Sequence, residues 1–342
     1  MSEFFFAYGL FFAKVLTALI ALVFAVAIIA SARQKKDEGP ELKVTNLNQK
    51  YRDLQMRLRH AVMNKKQFKQ FAKQQQKSIK QQQKATPKST ARSKMFVLDF
   101  DGDIKATEVA TLRDEITTML SVAEPQDEVL LKLDNSGGLV HEHGLAASQL
   151  QRIKDAKLNF TVAVDKVAAS GGYMMACVAD KIIAAPFAIL GSIGVLAQLP
   201  NFNRMLDKHG IDFEQHTAGE YKRTVTMFGK NSDKEREKLK LDLQETHRLF
   251  REFVAGNRPK LNIDEVATGE HWYGLQALDR RLIDEVKTSD EFLVDAINDY
   301  DIYQIKMEIK KPLQERIVGG LGSISEGLRN RFAAQQNDSK YL

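Results

Sequence analysis

The sequence predicts an α/β domain with a largely parallel sheet, preceded by an apolar N-terminal segment and a basic stalk. From residue 95 onward, short apolar runs alternate with helical patterns, which is typical of this fold class. The charge is also uneven: the net charge is +6, but residues 33–94 carry 18 Lys and Arg against 4 Asp and Glu. Residues 1–32 are neutral overall, so residues 95–342 are acidic, at −8. The basic character therefore belongs to one segment only.

Residues 4–32 are apolar apart from Lys14, and their helical length exceeds the roughly 30 Å hydrocarbon core of a bilayer. We predict an uncleaved single-pass anchor in a lipid bilayer rather than a buried core helix. Residues 30–32 resemble a signal-peptide cleavage site, but no basic residue precedes the run and the run is too long. Basic residues follow directly at positions 33–36, so the positive-inside rule favours a cytoplasmic location for the rest of the chain.

The segment 33–94 is predicted as a Lys/Gln-rich stalk and linker. Residues 41–85 form a polar helical pattern with a thin apolar stripe that includes Leu47, Leu54 and Leu58. Two interpretations stay open: a basic stalk that contacts anionic lipid headgroups, or a solvated spacer. We do not expect nucleic acid as a partner, because aromatic side chains at stacking intervals are missing.

Each element of the domain is predicted from its own pattern. Apolar runs of strand length occupy 95–100, 127–133, 160–164, 181–184 and 211–214, and helical patterns occupy 107–120, 145–153, 170–178, 201–209, 232–253 and 274–282. Ser232 and Glu235 form a capping-box pattern at the start of the longest helix. The run 182–199 is apolar enough for a second span, but Pro and Gly interrupt it, which favours a core strand and loop. The folded domain is predicted over 95–318, with a flexible tail over 319–342.

Ser170 is the first candidate for chemistry. It follows a predicted strand, and Gly171 and Gly172 come directly after it at the start of a helix. Small neighbours allow close approach of a substrate backbone, and a helix N-terminus favours developing negative charge. A nucleophile and a helix-capping serine explain this pattern equally well.

A nucleophilic serine needs a base and an oxyanion site. None of the seven histidines lies in a recognisable serine-hydrolase signature, although triad members need not be close in sequence. Lys222, next to Arg223, is an alternative base if burial or its cationic neighbour lowers its pKa, but a loop lysine is usually just solvated. Gly137 and Gly138 follow the second strand; their amides can face an oxyanion, or they form a tight turn.

These three elements, in this order, resemble the signal peptide peptidase A family of membrane serine peptidases, most closely its members from Gram-negative bacteria. The resemblance is carried by the runs VDKVAASGGYMMACVADKI, GSIGV, AQLPNFNR, HTAGEYKRT and ATGEHWYG, and by the anchor and stalk. It implies a ClpP/crotonase-like α/β superhelix and a serine endopeptidase with no metal and no organic cofactor. Its substrates would be extended or membrane-derived polypeptides, such as signal-peptide remnants and misfolded proteins.

The resemblance also implies roles for single residues. Ser170 would be the nucleophile, and a desolvated Lys222 the general base. Gly137 and Gly138 would form the oxyanion hole, with Ser136 where the family often has proline. The supporting residues would be Gly171, Gly172, Tyr221 and Arg223.

The family resemblance further implies a homo-oligomer, because the serine and the lysine can meet across a subunit boundary in single-domain relatives. The location would be the bacterial inner membrane. The catalytic domain of family members can face the periplasm, whereas the charge rule favours the cytoplasmic side. Two other functions stay open on the sequence: a non-catalytic membrane scaffold, and a crotonase-like acyl-CoA-binding protein.

Overall fold

The computed structural model describes residues 2–34, 40–85 and 92–308. The chain divides into two compact units, one containing the N-terminal residues up to Lys43 and the other formed by Val44–Lys306. In the first unit, helix α1 spans Ser2–Gln34. Within α1, Phe4–Val23 is long and apolar enough to cross a membrane, and none of that stretch is buried. This agrees with the apolar helix predicted over residues 4–32.

The remaining elements follow in chain order. They are β1 (Glu41–Asn46), α2 (Leu47–Val62), α3 (Lys65–Ala85), β2 (Lys94–Gly102), α4 (Val109–Leu120), β3 (Glu128–Asn135), α5 (Val140–Asp155), β4 (Asn159–Val164), β5 (Val167–Ala169), α6 (Gly171–Ala176), β6 (Lys181–Ala184), β7 (Ile189–Gly191), α7 (Asn203–Lys208), α8 (Asp233–Asn257), α9 (Ile263–Val266), β8 (His271–Tyr273), α10 (Gly274–Asp279), β9 (Glu285–Val286), α11 (Ser289–Ala296) and β10 (Asp301–Glu308). The predicted alternation of strands and helices is confirmed.

The strands form one mixed sheet in the order β1-β10-β2-β3-β4-β6-β9. Neighbours from β10 to β9 pair in parallel, as expected for strands joined by crossover helices. A short branch leaves the main path, where β5 pairs with β3 and with β7. Strand β8 then pairs antiparallel with β7. The branch sets the position of the chain that follows β5, which begins with Ser170.

Successive side chains of β2 point to opposite faces of the sheet, and each face is packed against its own buried cluster. Phe96, Leu98 and Phe100 belong to the larger buried cluster, to which α4, α5 and α6 also contribute. Met95 and Val97, on the opposite face, belong to a second cluster with residues from α11 and the start of α2. The central strands are therefore nearly continuous runs of apolar residues, because they are buried on both faces.

The predicted stalk differs in part from the structure. Residues 41–46 are a strand, and two helices replace the single predicted helix, with Asn64 accepting a hydrogen bond from the Gln67 amide at the start of α3. The first turn of α2 is also part of the folded unit. Leu47 and Asn48 are buried, and the Asn48 side chain bonds to the backbone of Ile302. Much of the basic segment is helical as predicted, but Leu47 and Asn48 within it are part of the folded unit.

The structure corrects one predicted strand. Residues 211–214 form no strand, and they are exposed, so no neighbouring strand takes up their backbone hydrogen bonds. The apolar run 182–199 contains β6 and β7 rather than a helix, as the favoured interpretation predicted. The capping box of Ser232 with Glu235 is confirmed. The predicted tail, 319–342, lies outside the described residues.

Candidate active site

Ser170 lies between β5 and α6 in a backbone conformation that is rare for a residue with a side chain. Its φ is 52° and its ψ is −118°. Such residues carry about 1–3 kcal/mol of strain and concentrate at functional sites. The conformation is held by two hydrogen bonds: the Ser170 amide donates to the Gly191 carbonyl (2.8 Å), and the Ser170 carbonyl accepts from the Met174 amide (3.0 Å).

The Ser170 hydroxyl does not cap the helix that follows it. No hydrogen bond joins its side chain to the first turn of α6, and no partner for this hydroxyl is found in the described part of the chain. The side chain is half-buried rather than enclosed. The capping interpretation of Ser170 therefore has no support in the geometry, and the hydroxyl is free to meet a substrate.

Gly137 brings the turn after β3 directly against Ser170. Its φ is +88°, and a Cβ atom at this position would lie 2.7 Å from the Ser170 Cβ, closer than real side chains approach. Gly172 packs just as closely, because a Cβ there would lie 2.1 Å from the carbonyl oxygen of Asn135. The three predicted residues Ser170, Gly137 and Gly172 are thus brought together.

Three backbone amides, those of Gly137, Gly138 and Gly171, are candidates for donating a hydrogen bond to an oxyanion. The Gly137 amide donates to the Asn135 side-chain oxygen (2.7 Å), so it would have to give up this bond to serve an oxyanion. The amides of Gly138 and Gly171 have no acceptor in residues 2–34, 40–85 or 92–308. Gly171 is buried, and its amide is the first of α6, where an intrahelical partner is lacking. The Gly171 amide follows Ser170 directly in the chain, and the Gly138 amide belongs to the turn whose Gly137 packs against Ser170.

Two buried polar residues support this turn and were not singled out from the sequence. Asn135 and His143 are 1% and 0% exposed, and the His143 Nε2 lies 3.2 Å from the Asn135 Oδ1. The only available signal was an Asn two residues after a predicted strand, close before two glycines and a histidine. Such spacing is too common in proteins to indicate a site.

Lys222 lies in a different environment from the one expected. It is exposed, as are Tyr221 and Arg223, so Lys222 is not desolvated within the single chain. It lines a pocket of about 740 Å³ together with Arg223 and residues between 199 and 228, and Ser170 is not part of that lining. Among the described residues, neither a hydrogen bond nor a shared pocket lining joins Lys222 to Ser170.

The loop around Lys222 is tied to helix α8 by charge. Glu220 pairs with Lys234 (2.6 Å), and this bond lowers the pKa of the Glu220 carboxyl. The Tyr221 ring lies below Lys238, with the ammonium 5.5 Å from the ring centre. Among the described residues, the ring contact of Tyr221 is therefore with α8.

Cys177 does not compete with Ser170 as a nucleophile. Its thiol is fully buried in the core, and burial raises the pKa of the Cys177 thiol to about 12. A thiol is nucleophilic as the thiolate, which is not formed at neutral pH with such a pKa.

Comparison with known proteins identifies the family. The model for the N-terminal part of peptidase family S49 matches residues 3–150, and the model "Peptidase family S49" matches residues 152–302. A protein named "Probable protease SohB" from Haemophilus influenzae is 44% identical over 340 residues, covering 96% of each chain. A protein of the same name from Buchnera aphidicola subsp. Acyrthosiphon pisum is 45% identical over 327 residues, and the alignment covers 95% of this chain and 96% of that protein.

Among solved structures, a mutant of the 1510-N membrane-bound stomatin-specific protease is similar with a TM-score of 0.39 and 15% identity, covering 65% of this chain and 96% of its own. That likeness is too distant to assign any residue. The two family models and the SohB relatives cover nearly the whole chain at high identity. The relatives that align with the chain over almost their full length are named as SohB proteases. The chain is therefore a member of peptidase family S49.

Proposed function

We propose that this protease is a serine endopeptidase in which Ser170 is the nucleophile and Lys222 the general base. One observation carries the proposal: Ser170 has a strained backbone, and among the described residues its hydroxyl and the amides of Gly138 and Gly171 have no hydrogen-bond partner. A capping serine would show the opposite arrangement, with a relaxed backbone and a bonded hydroxyl.

The chemistry follows from these groups. Lys222 in its neutral form takes the Ser170 hydroxyl proton, and the oxygen attacks a peptide carbonyl. Gly138 and Gly171 donate to the oxyanion, a contribution of about 3–4 kcal/mol for each well-placed donor. The protonated lysine gives its proton to the leaving amine, and water hydrolyses the acyl-enzyme by the reverse transfer.

We propose that the dyad forms between two copies of the chain. The exposed position of Lys222 supports this, because a lysine that acts as a general base is desolvated, whereas Lys222 is in contact with solvent in a single chain. Large apolar side chains are also exposed on the same part of the chain, among them Leu196, Phe213 and Phe228. A second copy covering this surface would desolvate Lys222 and bury the apolar groups in one step.

The remaining proposals concern the setting of the enzyme. The apolar stretch of α1 supports a single-pass anchor in the bacterial inner membrane, and the basic charge that follows it favours a cytoplasmic catalytic domain. Residues 95–318 would adopt a ClpP/crotonase-like superhelix. Substrates would be extended or membrane-derived polypeptides, which an enzyme held at the bilayer meets first.

Labelling with a fluorophosphonate tests the nucleophile. The full-length protein in detergent should be labelled on one residue, Ser170, and should cleave casein. Ser170→Ala should abolish both, whereas Ser148→Ala should behave as wild type, because the Ser148 hydroxyl bonds to the Gly144 carbonyl on the exposed side of α5. Casein cleavage by folded Ser170→Ala at the wild-type rate would refute the proposal.

A further inference from the structure

We infer that His143 is a positioning residue for the oxyanion hole, acting through Asn135 on the Gly137–Gly138 turn and through direct packing on Gly171. This inference rests on the serine-peptidase function proposed above. It concerns a fully buried side chain that is no part of the proposed dyad and that no pattern in the sequence distinguishes from the other histidines.

The first link is the shared oxygen of Asn135. This residue ends β3, and its Oδ1 accepts from the Gly137 amide (2.7 Å) while it faces the His143 Nε2 (3.2 Å). The amide group of Asn135 is held in this orientation, because the Gly137 amide requires an acceptor and the Nδ2 contacts the Met175 sulfur (3.4 Å). A neutral imidazole has one N–H, and both ring nitrogens of His143 face an oxygen, Nε2 that of the Asn135 side chain and Nδ1 that of the Leu139 carbonyl. We assign the N–H to Nε2, which then donates to the same oxygen that fixes Gly137.

The second link is the ring of His143 itself. A Cβ on Gly171 would lie 2.4 Å from the His143 Cγ and 2.6 Å from its Cδ2, so the ring lies directly against the Gly171 backbone. The Gly171 amide is one of the two proposed oxyanion donors. One side chain thus touches one donor directly and holds the turn that carries the other, Gly138.

His143 is not itself a base for Ser170. Its Nδ1 lies 3.0 Å from the Leu139 carbonyl and its Nε2 faces Asn135, so both ring nitrogens are occupied by partners other than the serine. His143 instead sets the distance between the amides of Gly138 and Gly171, which come from different parts of the chain. Displacement of a reacting group by about 1 Å costs on the order of a hundredfold in rate.

The expected effect of a misplaced donor on kcat and KM depends on the stage of the reaction at which the oxyanion is present. The negative oxygen forms only in the transition state and the tetrahedral intermediate, so a misplaced donor lowers kcat and leaves KM nearly unchanged. A loss of folded enzyme would also lower the apparent kcat at constant KM, so kcat is expressed per folded molecule, with the folded fraction of each variant measured by circular dichroism.

Two nearly isosteric variants isolate the donor. His143→Gln places an amide nitrogen the same number of bonds from the backbone as Nε2, whereas His143→Met has similar length and flexibility but no donor. In the full-length protein we expect His143→Gln to keep kcat within about threefold, and His143→Met to lose about tenfold to a hundredfold in kcat with KM within about twofold. The control is His141→Met, because the His141 side chain is 76% exposed two residues earlier on the same helix.

The outcomes are distinct. Equal kcat for folded His143→Gln and His143→Met, or wild-type kcat for His143→Met, would overturn the inference. Wild-type protein that neither reacts with the fluorophosphonate nor cleaves casein would overturn the proposed function instead.

A second readout uses the wild-type chain and does not depend on the folding of any variant. Two donors to one oxygen hold their protons close together, so an NMR cross-peak between an imidazole N–H and the Gly137 amide proton is expected. An imidazole Nε2 without a proton at His143 would overturn the inference.

Discussion

The turn at Gly137 lies directly against the backbone of Ser170, so that a Cβ atom added to Gly137 would be 2.7 Å from the Ser170 Cβ and 2.8 Å from the Gly171 nitrogen. This contact joins the end of β3 to the start of α6, two parts of the chain more than thirty residues apart. It brings the proposed nucleophile to the amides that would stabilise its oxyanion.

The first prediction follows from this contact. Gly137→Ala should lower kcat at least tenfold, because the new Cβ must displace Ser170 or the turn. It should also cost about 1–3 kcal/mol in the free energy of unfolding, since φ is +88° at this position. Kinetics and chemical unfolding of the purified variant measure the two effects.

The control for this prediction is Gly144→Ala. Gly144 lies inside α5, and a Cβ there would meet no atom within 4 Å. Alanine in a helix interior should stabilise by about 0.5–1 kcal/mol and leave kcat unchanged. Full activity in folded Gly137→Ala would show that the contact with Ser170 has no catalytic importance.

The second prediction concerns the assembly of the dyad. Ser170→Ala and Lys222→Ala should each be inactive alone. After subunit exchange, a mixture should recover about a quarter of wild-type activity, because each site needs an intact serine and an intact lysine from adjacent copies. Casein cleavage after co-refolding is the measurement.

The matched control replaces another exposed lysine on the same loop, Lys230, which should leave activity intact as Lys230→Ala. No recovery in mixtures whose subunits demonstrably exchange would place Lys222 and Ser170 in the same copy.

The third prediction is a pH dependence of stability. Burial alone would raise the pKa of Asp284, but two bonds from the Arg258 guanidinium (2.8 and 2.9 Å) and one from the Ile182 amide (2.7 Å) outweigh burial and lower it. A carboxyl with a lowered folded-state pKa stabilises the fold above its unfolded pKa, near 3.9, and this contribution is lost as the pH falls through the lowered folded value.

We therefore expect the denaturant concentration at the unfolding midpoint to decrease more steeply below about pH 4 for the wild type than for Asp284→Asn. Denaturant unfolding of both proteins between pH 3 and pH 7 measures this difference. Asp284→Asn should already be less stable at pH 7, because the Arg258 side chain is only 10% exposed and loses its charged partner. Parallel pH profiles for the two proteins would contradict the proposed linkage.

The fourth prediction tests how the basic segment joins the domain. Asn48 is 4% exposed; its Nδ2 donates to the carbonyls of Ile297 and Tyr300 (3.0 Å each), and its Oδ1 accepts from the Ile302 amide (2.7 Å). Asn48→Ala should cost about 2–4 kcal/mol, because it leaves buried backbone groups without partners.

Thermal unfolding checks this, and Lys50→Ala, on the exposed side of the same helix, should change stability by less than about 0.5 kcal/mol. Equal midpoints for the two variants would mean that the start of α2 does not stabilise the folded unit.

The fifth prediction concerns membrane topology. Basic residues at 33–36 follow the apolar helix, so the charge rule predicts a cytoplasmic domain. Alkaline phosphatase fused after Leu342 should therefore be inactive in cells, and a cytoplasmic reporter at the same position should be active. Active phosphatase would place the catalytic domain in the periplasm instead.

Local patterns predicted much of the fold. The strands β2, β3, β4 and β6 and the helices between them were predicted because buried parallel strands are apolar runs and the covering helices have one apolar face. The short strands β5, β7 and β8 have three residues each, too few for any periodicity to indicate them. The predicted strand at 211–214 failed because strand formation depends on a partner that the local sequence does not contain.

The sequence by itself determined the apolar helix, the basic segment, the alternation of the central strands β2, β3, β4 and β6 with helices, and the position of Ser170 at a strand–helix junction. These features depend on residues close together in the chain. Only the tertiary structure decided that the Gly137 amide is bonded to Asn135, that His143 packs on Gly171, and that Lys222 is exposed. Those relationships join distant segments or depend on burial, and both are settled by how the strands and helices pack rather than by any local pattern.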